Sequence, residues 1–154
     1  MCAAVAVLWS EIPLELIECH GLVRRAYERR GEREIRFYYR DPEPLLPVVH
    51  RGQVVLAKWG SRDRRSSLPS TGWTWRQSVL DGKWGRWNAE ACLIPATFGW
   101  ENGVWFAVRQ GMEGVVVKDE AGQLVAYVVC EPPTHYFSVM CRTERMPRLV
   151  GQVI

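Results

Sequence analysis

The sequence predicts a mixed α+β fold, one domain built around a curled antiparallel sheet. Three observations lead there. Short runs with strand-like alternation number at least six against one or two helical stretches. Turn signals such as Arg51-Gly52 and Asp119-Glu120-Ala121-Gly122 separate those runs, and no internal repeat or low-complexity tract interrupts them. At 154 residues, with 47% hydrophobic and 24% charged side chains, the chain has the size and composition of a single globular domain, 1–154.

Taken in order, Ala3 to Trp9 is an apolar run suited to a buried strand, too short to span a bilayer and without the basic start of a signal peptide. A cytoplasmic protein with no membrane partner is expected. Ser10, Glu11 and Pro13 open what reads as the one long helix. Its apolar positions Leu16, Cys19, His20, Val23 and Tyr27 recur at helical spacing until Gly31 ends it, and Arg24, Arg25, Glu28 and Arg29 form the other face. Ile35, Phe37 and Tyr39 then alternate with Arg36, Tyr38 and Arg40 in a strand that stops at Asp41-Pro42. Residues 47–50 and 53–59 flank Arg51-Gly52 as a tight hairpin, residues 104–108 form a further strand, and 115–118 pairs with 124–129.

The five cysteines are odd in number and show no metal-ligand or disulfide-framework spacing, and His20, His50 and His135 are scattered. Reduced thiols, no metal and no cofactor follow as expectations. The net charge of +3 argues only weakly for nucleic acid, but its distribution is uneven. Between Lys58 and Trp87, seven Lys and Arg side chains oppose two Asp, with Trp59, Trp73, Trp75, Trp84 and Trp87 among them. Such a stretch offers stacking faces and phosphate partners for a single strand, or else a tryptophan core with a solvated charged rim.

Cys2 becomes the first residue once Met1 is removed. Its free amine and thiol then make a 1,2-aminothiol, which condenses with an aldehyde through an imine that the thiol closes to a five-membered ring. An α-amine near pKa 8 supplies neutral nucleophile at physiological pH. A positioned acid is needed to expel water, and Glu101 is the candidate if burial near Trp100 and Trp105 raises its pKa; the other reading is a solvated glutamate in the turn-like Glu101-Asn102-Gly103.

Cys2, Trp59-Gly60, Cys92-Leu93-Ile94-Pro95-Ala96 with Glu101, Gly114, and Arg145-Met146-Pro147 occur in the order and approximate spacing of motifs in the SRAP (SOS response-associated peptidase) family. The chain resembles a divergent, short member of it. The resemblance implies a half-open, mainly antiparallel β-barrel with a few flanking helices, and a basic groove for single-stranded DNA. It also implies autoproteolytic loss of Met1 and a thiazolidine crosslink between the N-terminal cysteine and an abasic site. On it, Cys2, Glu101, Asn88 and Thr143 are the catalytic positions; Arg145, Trp59, Trp73, Arg62, Arg64 and Arg65 are the DNA-binding ones. The partner is single-stranded or abasic DNA, and the protein is a monomer. Thr143 stands where the family carries a histidine, and Asn88-Ala89-Glu90 is similar to its Asn-Ala-Arg motif. The alternatives are a binding module that has lost the chemistry, and a mobile-element accessory protein.

Overall fold

A computed structural model describes residues 3–154. It is a mixed α+β fold made mostly of strands. β1 (Ala4–Leu8) leads through a 3-10 turn to the short helix α1 (Leu14–Cys19). β2 (Ala26–Arg29), β3 (Glu32–Tyr38), β4 (Leu45–His50), β5 (Gln53–Trp59) and β6 (Trp73–Trp75) follow, then α2 (Arg76–Leu80). The chain continues with β7 (Glu90–Ile94), β8 (Phe98–Glu101), β9 (Val104–Ala107), β10 (Met112–Lys118), β11 (Leu124–Glu131), α3 (His135–Cys141) and β12 (Met146–Pro147).

Two sheets result. β10, β7, β4, β5 and β11 pair in that order, and β11 pairs back with β10, so five strands close into a barrel with β6 and β12 attached to β11. All contacts in the ring are antiparallel except β5 with β11, where Lys58 lies beside Val125 and Trp59 beside Ala126. The second sheet, in the order β2, β3, β1, β8, β9, curls beside the barrel. Its inner face contributes Val5, Val7, Ile35, Phe37 and Phe106 to the core, where Trp59, Leu46, Val48, Ile94, Met112 and Phe137 meet them from other elements.

The local expectations hold at the hairpins. Arg51 and Gly52 both adopt positive φ, 51° and 76°, which the tight turn between β4 and β5 requires. The strands expected at 35–39, 104–108, 115–118 and 124–129 are β3, β9, β10 and β11 to within a few residues.

The long helix does not form. α1 has six residues and ends before Gly21, whose left-handed φ of 60° breaks the helical path; a 3-10 turn at Leu22–Arg25 follows. Residues 26–29 instead become a strand, because Ala26 to Arg29 pair antiparallel with Ile35 to Glu32 across the Arg30-Gly31 turn. Hydrogen bonding to β3 outweighs the helical spacing of Val23 and Tyr27, both of which remain exposed. No helix among the described residues is long and apolar enough to cross a membrane.

Candidate functional site

Glu101 ends β8, and the alternation of a strand decides where it points. Trp100 pairs across the strands with Trp105, their rings 6.5 Å apart, while Glu101 faces the opposite side, opposite Val104, and is only 4% exposed. The two tryptophans therefore do not bury it from its own face, contrary to the sequence expectation. The turn that follows does more. Asn102 and Gly103 take positive φ, 46° and 85°, and the Asn102 amide donates to the carbonyls of Cys141 at 2.8 Å and Arg142 at 3.2 Å. Arg142 returns a bond from its guanidinium to the Asn102 carbonyl at 3.4 Å. This exchange docks the β8–β9 turn on the end of α3 and draws Glu101 to the segment that carries Thr143 and Arg145.

Burial raises the Glu101 carboxyl to about 7, with the Arg145 guanidinium opposing the rise. Such a group is part protonated at neutral pH, the condition for a side chain that both gives and takes a proton. The Glu101 charge also reaches Cys130 and Cys141. Burial pushes the Cys130 thiol up to about 12, and the carboxylate adds to that shift. These two thiols are packing groups rather than nucleophiles.

Arg145 is half-buried. Its guanidinium lies 4.4 Å from the centre of the Trp73 ring and 5.6 Å from that of Trp75, and its backbone N–H donates to the Thr143 hydroxyl at 3.4 Å. Trp73 packs edge-on against Tyr39 at 5.8 Å, and Arg62 stacks over Tyr39 at 5.0 Å. Arg62 also donates to the carbonyls of Tyr39 and Asp41. An aromatic and cationic surface thus runs from Glu101 through Arg145, Trp73 and Tyr39 to Arg62. It borders the start of β1, where the Ala3 N–H donates to the Trp100 carbonyl and the Tyr39 N–H donates to the Ala3 carbonyl, both at 2.9 Å. Cys2 lies outside the described residues.

The predicted residues divide accordingly. Glu101, Thr143, Arg145 and Trp73 come together, with Arg62 along the same surface. Trp59 does not belong to a binding surface: it is 1% exposed, with its indole N–H donating to the Gly72 carbonyl, because β5 turns Ala57 and Trp59 inward and Lys58 outward. Trp75, 40% exposed, is the accessible ring instead. Arg65 pairs with Asp63 at 3.2 Å on the outside, and Arg64 is exposed in the same loop. Asn88 sits in a left-handed conformation before β7 and lines a cavity that none of Glu101, Thr143 and Arg145 borders.

Tyr39, Asn102 and the α3 terminus went unassigned by sequence reasoning. The Asn-Gly pair signalled a turn, but not what the turn would dock against. Among the described residues no group of three or more His, Cys, Asp and Glu could hold a metal ion. Compared with known proteins, the chain matches no family model, no curated protein and no solved structure.

Proposed function

We propose that the protein acts on single-stranded DNA in the manner of the SRAP family, crosslinking through Cys2 to abasic sites after Met1 is removed, on a fold of that family's half-open barrel kind. The observation that carries this reading is the Glu101 carboxyl, buried and raised to about 7 against the pull of Arg145, at the end of the strand that pairs with β1, which Ala3 precedes. Cys2 is one peptide bond from Ala3. The stacking surface of Trp73 and Trp75 with Arg145 and Arg62 supports a single strand as the partner, with rings for bases and guanidinium groups for phosphates.

In the reaction the Cys2 amine adds to the aldehyde carbon of the ring-opened abasic sugar, giving a carbinolamine. Protonated Glu101 passes its proton to the hydroxyl, which leaves as water, and an iminium forms. The Cys2 sulfur then bonds to the same carbon, the C=N pair returns to nitrogen, and the thiol proton goes back to Glu101. One water is released and no electrons are exchanged. Arg145 holds the neighbouring phosphate. Thr143 cannot shuttle a proton near neutrality, so Glu101 carries both transfers.

The test mixes Met-processed protein with single-stranded DNA carrying one abasic site. A band that survives denaturation is expected. Cys2→Ser should give none without a reductant, since a hydroxyl closes the ring poorly, and Glu101→Gln should slow its formation about 100-fold. Thr143→His should accelerate it about 10- to 100-fold. Failure of both the wild type and Thr143→His to crosslink would overturn the chemistry. The residue type at Thr143 favours one second reading, a binding module that keeps the groove without the reaction, and DNA binding without crosslinking would select it.

A further inference from the structure

A cavity of about 370 Å³ opens on the barrel away from Glu101, where the end of β4, the start of β7 and the end of β10 meet. Strand ends at the mouth of a barrel are a common place for small ligands. His50, Arg51, Trp87, Asn88, Glu90, Val117, Lys118 and Leu124 are among the residues that line it.

The charges are arranged unequally. Glu90 is the one carboxylate in the lining, and it is fully engaged: His50 bonds it at 2.7 Å and Arg51 at 2.7 Å. Those contacts, the Arg51 bond foremost, hold the Glu90 carboxyl down at about 2, so it stays an anion paired with both. The acids that follow Lys118 face elsewhere. Asp119 pairs with Lys58 at 3.1 Å, and Glu120 accepts from the Ser66 hydroxyl and the Ser67 N–H. Lys118, exposed, presents positive charge at the rim, and Arg51, 72% exposed, stands beside it with its Nε and Nη2 committed to Glu90 and its Nη1 turned to neither Glu90 oxygen.

One wall is an indole ring, over which the exposed Arg86 guanidinium lies 4.7 Å from the centre, so a planar group stacking there displaces that side chain or takes the other face. Trp87 is half-buried, packs on Trp84 at 5.1 Å and donates its indole N–H to Ser67 at 3.1 Å. Beside it, the exposed Asn88 offers both a donor and an acceptor on its amide. Cations for an anion, a ring face for a planar group and an amide for a polar edge define one chemistry.

We infer that this cavity binds a nucleotide, its base against Trp87 and Asn88 and its phosphate between Arg51 and Lys118. The source is either a free mononucleotide or one residue of a strand. The site shares no residue with the Glu101 region and stands whether or not crosslinking occurs.

Amide chemical shifts of the full-length protein test it. Separate titrations use AMP, adenosine, inorganic phosphate and a tetrathymidylate without an abasic site. AMP should shift the amides of Asn88, Glu90 and Lys118, with an affinity at least about tenfold above that of phosphate or adenosine alone. Lys118→Glu should weaken it about tenfold or more, while Arg145→Gln leaves it unchanged. Lys118 is exposed, and unperturbed distant amides will show that the variant folds. Response to tetrathymidylate but not AMP, lost in Lys118→Glu, would identify a strand residue as the occupant. Response to neither, AMP binding that occurs but is no tighter than that of phosphate, or affinity for the responding ligand indifferent to Lys118→Glu would overturn the proposal.

Discussion

Arg145 and Glu101 act against each other: burial drives the Glu101 carboxyl up, the guanidinium pulls it back, and the balance rests at about 7. Neutralising the cation should let the carboxyl rise further. In Arg145→Gln a carboxyl-carbon NMR titration should report a higher Glu101 midpoint than in wild type. An unchanged midpoint would mean that Arg145 is too well solvated to be felt. The same variant should flatten the salt dependence of single-strand binding by about 0.7 in the log–log slope if Arg145 contacts one phosphate.

Glu101 also makes stability depend on pH. A carboxyl raised in the folded state to about 7 from an ordinary 4.5 costs nothing while both forms are protonated, below 4.5. Between 4.5 and about 7 the unfolded chain ionises more readily, so stability is lost as pH rises, by at most about 3 kcal/mol. Urea unfolding at pH 5 and pH 8 should show this loss in wild type and a much smaller one in Glu101→Gln. Equal losses in the two proteins would assign the effect to other groups.

Asn102 joins the β8–β9 turn to α3 through two carbonyls, and its backbone sits at a φ of 46°. Asn102→Gly keeps the conformation and removes the bonds, so a stability loss of about 1–2 kcal/mol in denaturant unfolding is expected. Asn102→Ala should lose more, since it adds strain at positive φ. If Gly and Ala behave alike, backbone strain is absent from the turn.

Gly60 lies just after β5 with a φ of 70°, and a Cβ there would fall 2.1 Å from the Thr71 carbonyl oxygen. That atom is backbone and cannot swing away. Gly60→Ala should destabilise by about 2–4 kcal/mol, seen as a lowered Tm, whereas alanine at the open Gly52 should cost about 1 kcal/mol. Similar losses at the two positions would show that the 60–72 loop yields.

What could be read from the sequence was what neighbours along the chain decide. Gly52, set between two apolar runs, permits the left-handed turn that a two-residue hairpin needs, so the β4–β5 hairpin was legible, as was the alternation of β3. The stretch from Leu14 to Arg29 has apolar residues at helical spacing, but which state wins depends on β3 offering a pairing edge, and the spacing carries no record of that partner. Trp59 and Trp75 have the same residue type in similar basic surroundings, and only strand alternation and the far wall of the core separate a 1% exposed ring from one at 40%. Glu101 could be named as an acid from its motif, yet its environment is built by Asn102 reaching across to Cys141 and Arg142.

The lone parallel contact in the barrel, Lys58 beside Val125, carries a consequence for how the chain assembles. The β4–β5, β8–β9 and β10–β11 hairpins can each form from residues close in sequence, but the ring stays open until β5 finds β11 across everything between them. That meeting costs loop entropy before any contact returns it. Closure is therefore a late and cooperative event. Until it happens, β5 presents a bare edge and β11 does so at Val125 and Ala126, the residues that β6 and β12 do not cover, so a slowly maturing nascent protein is most vulnerable to aggregation at this seam.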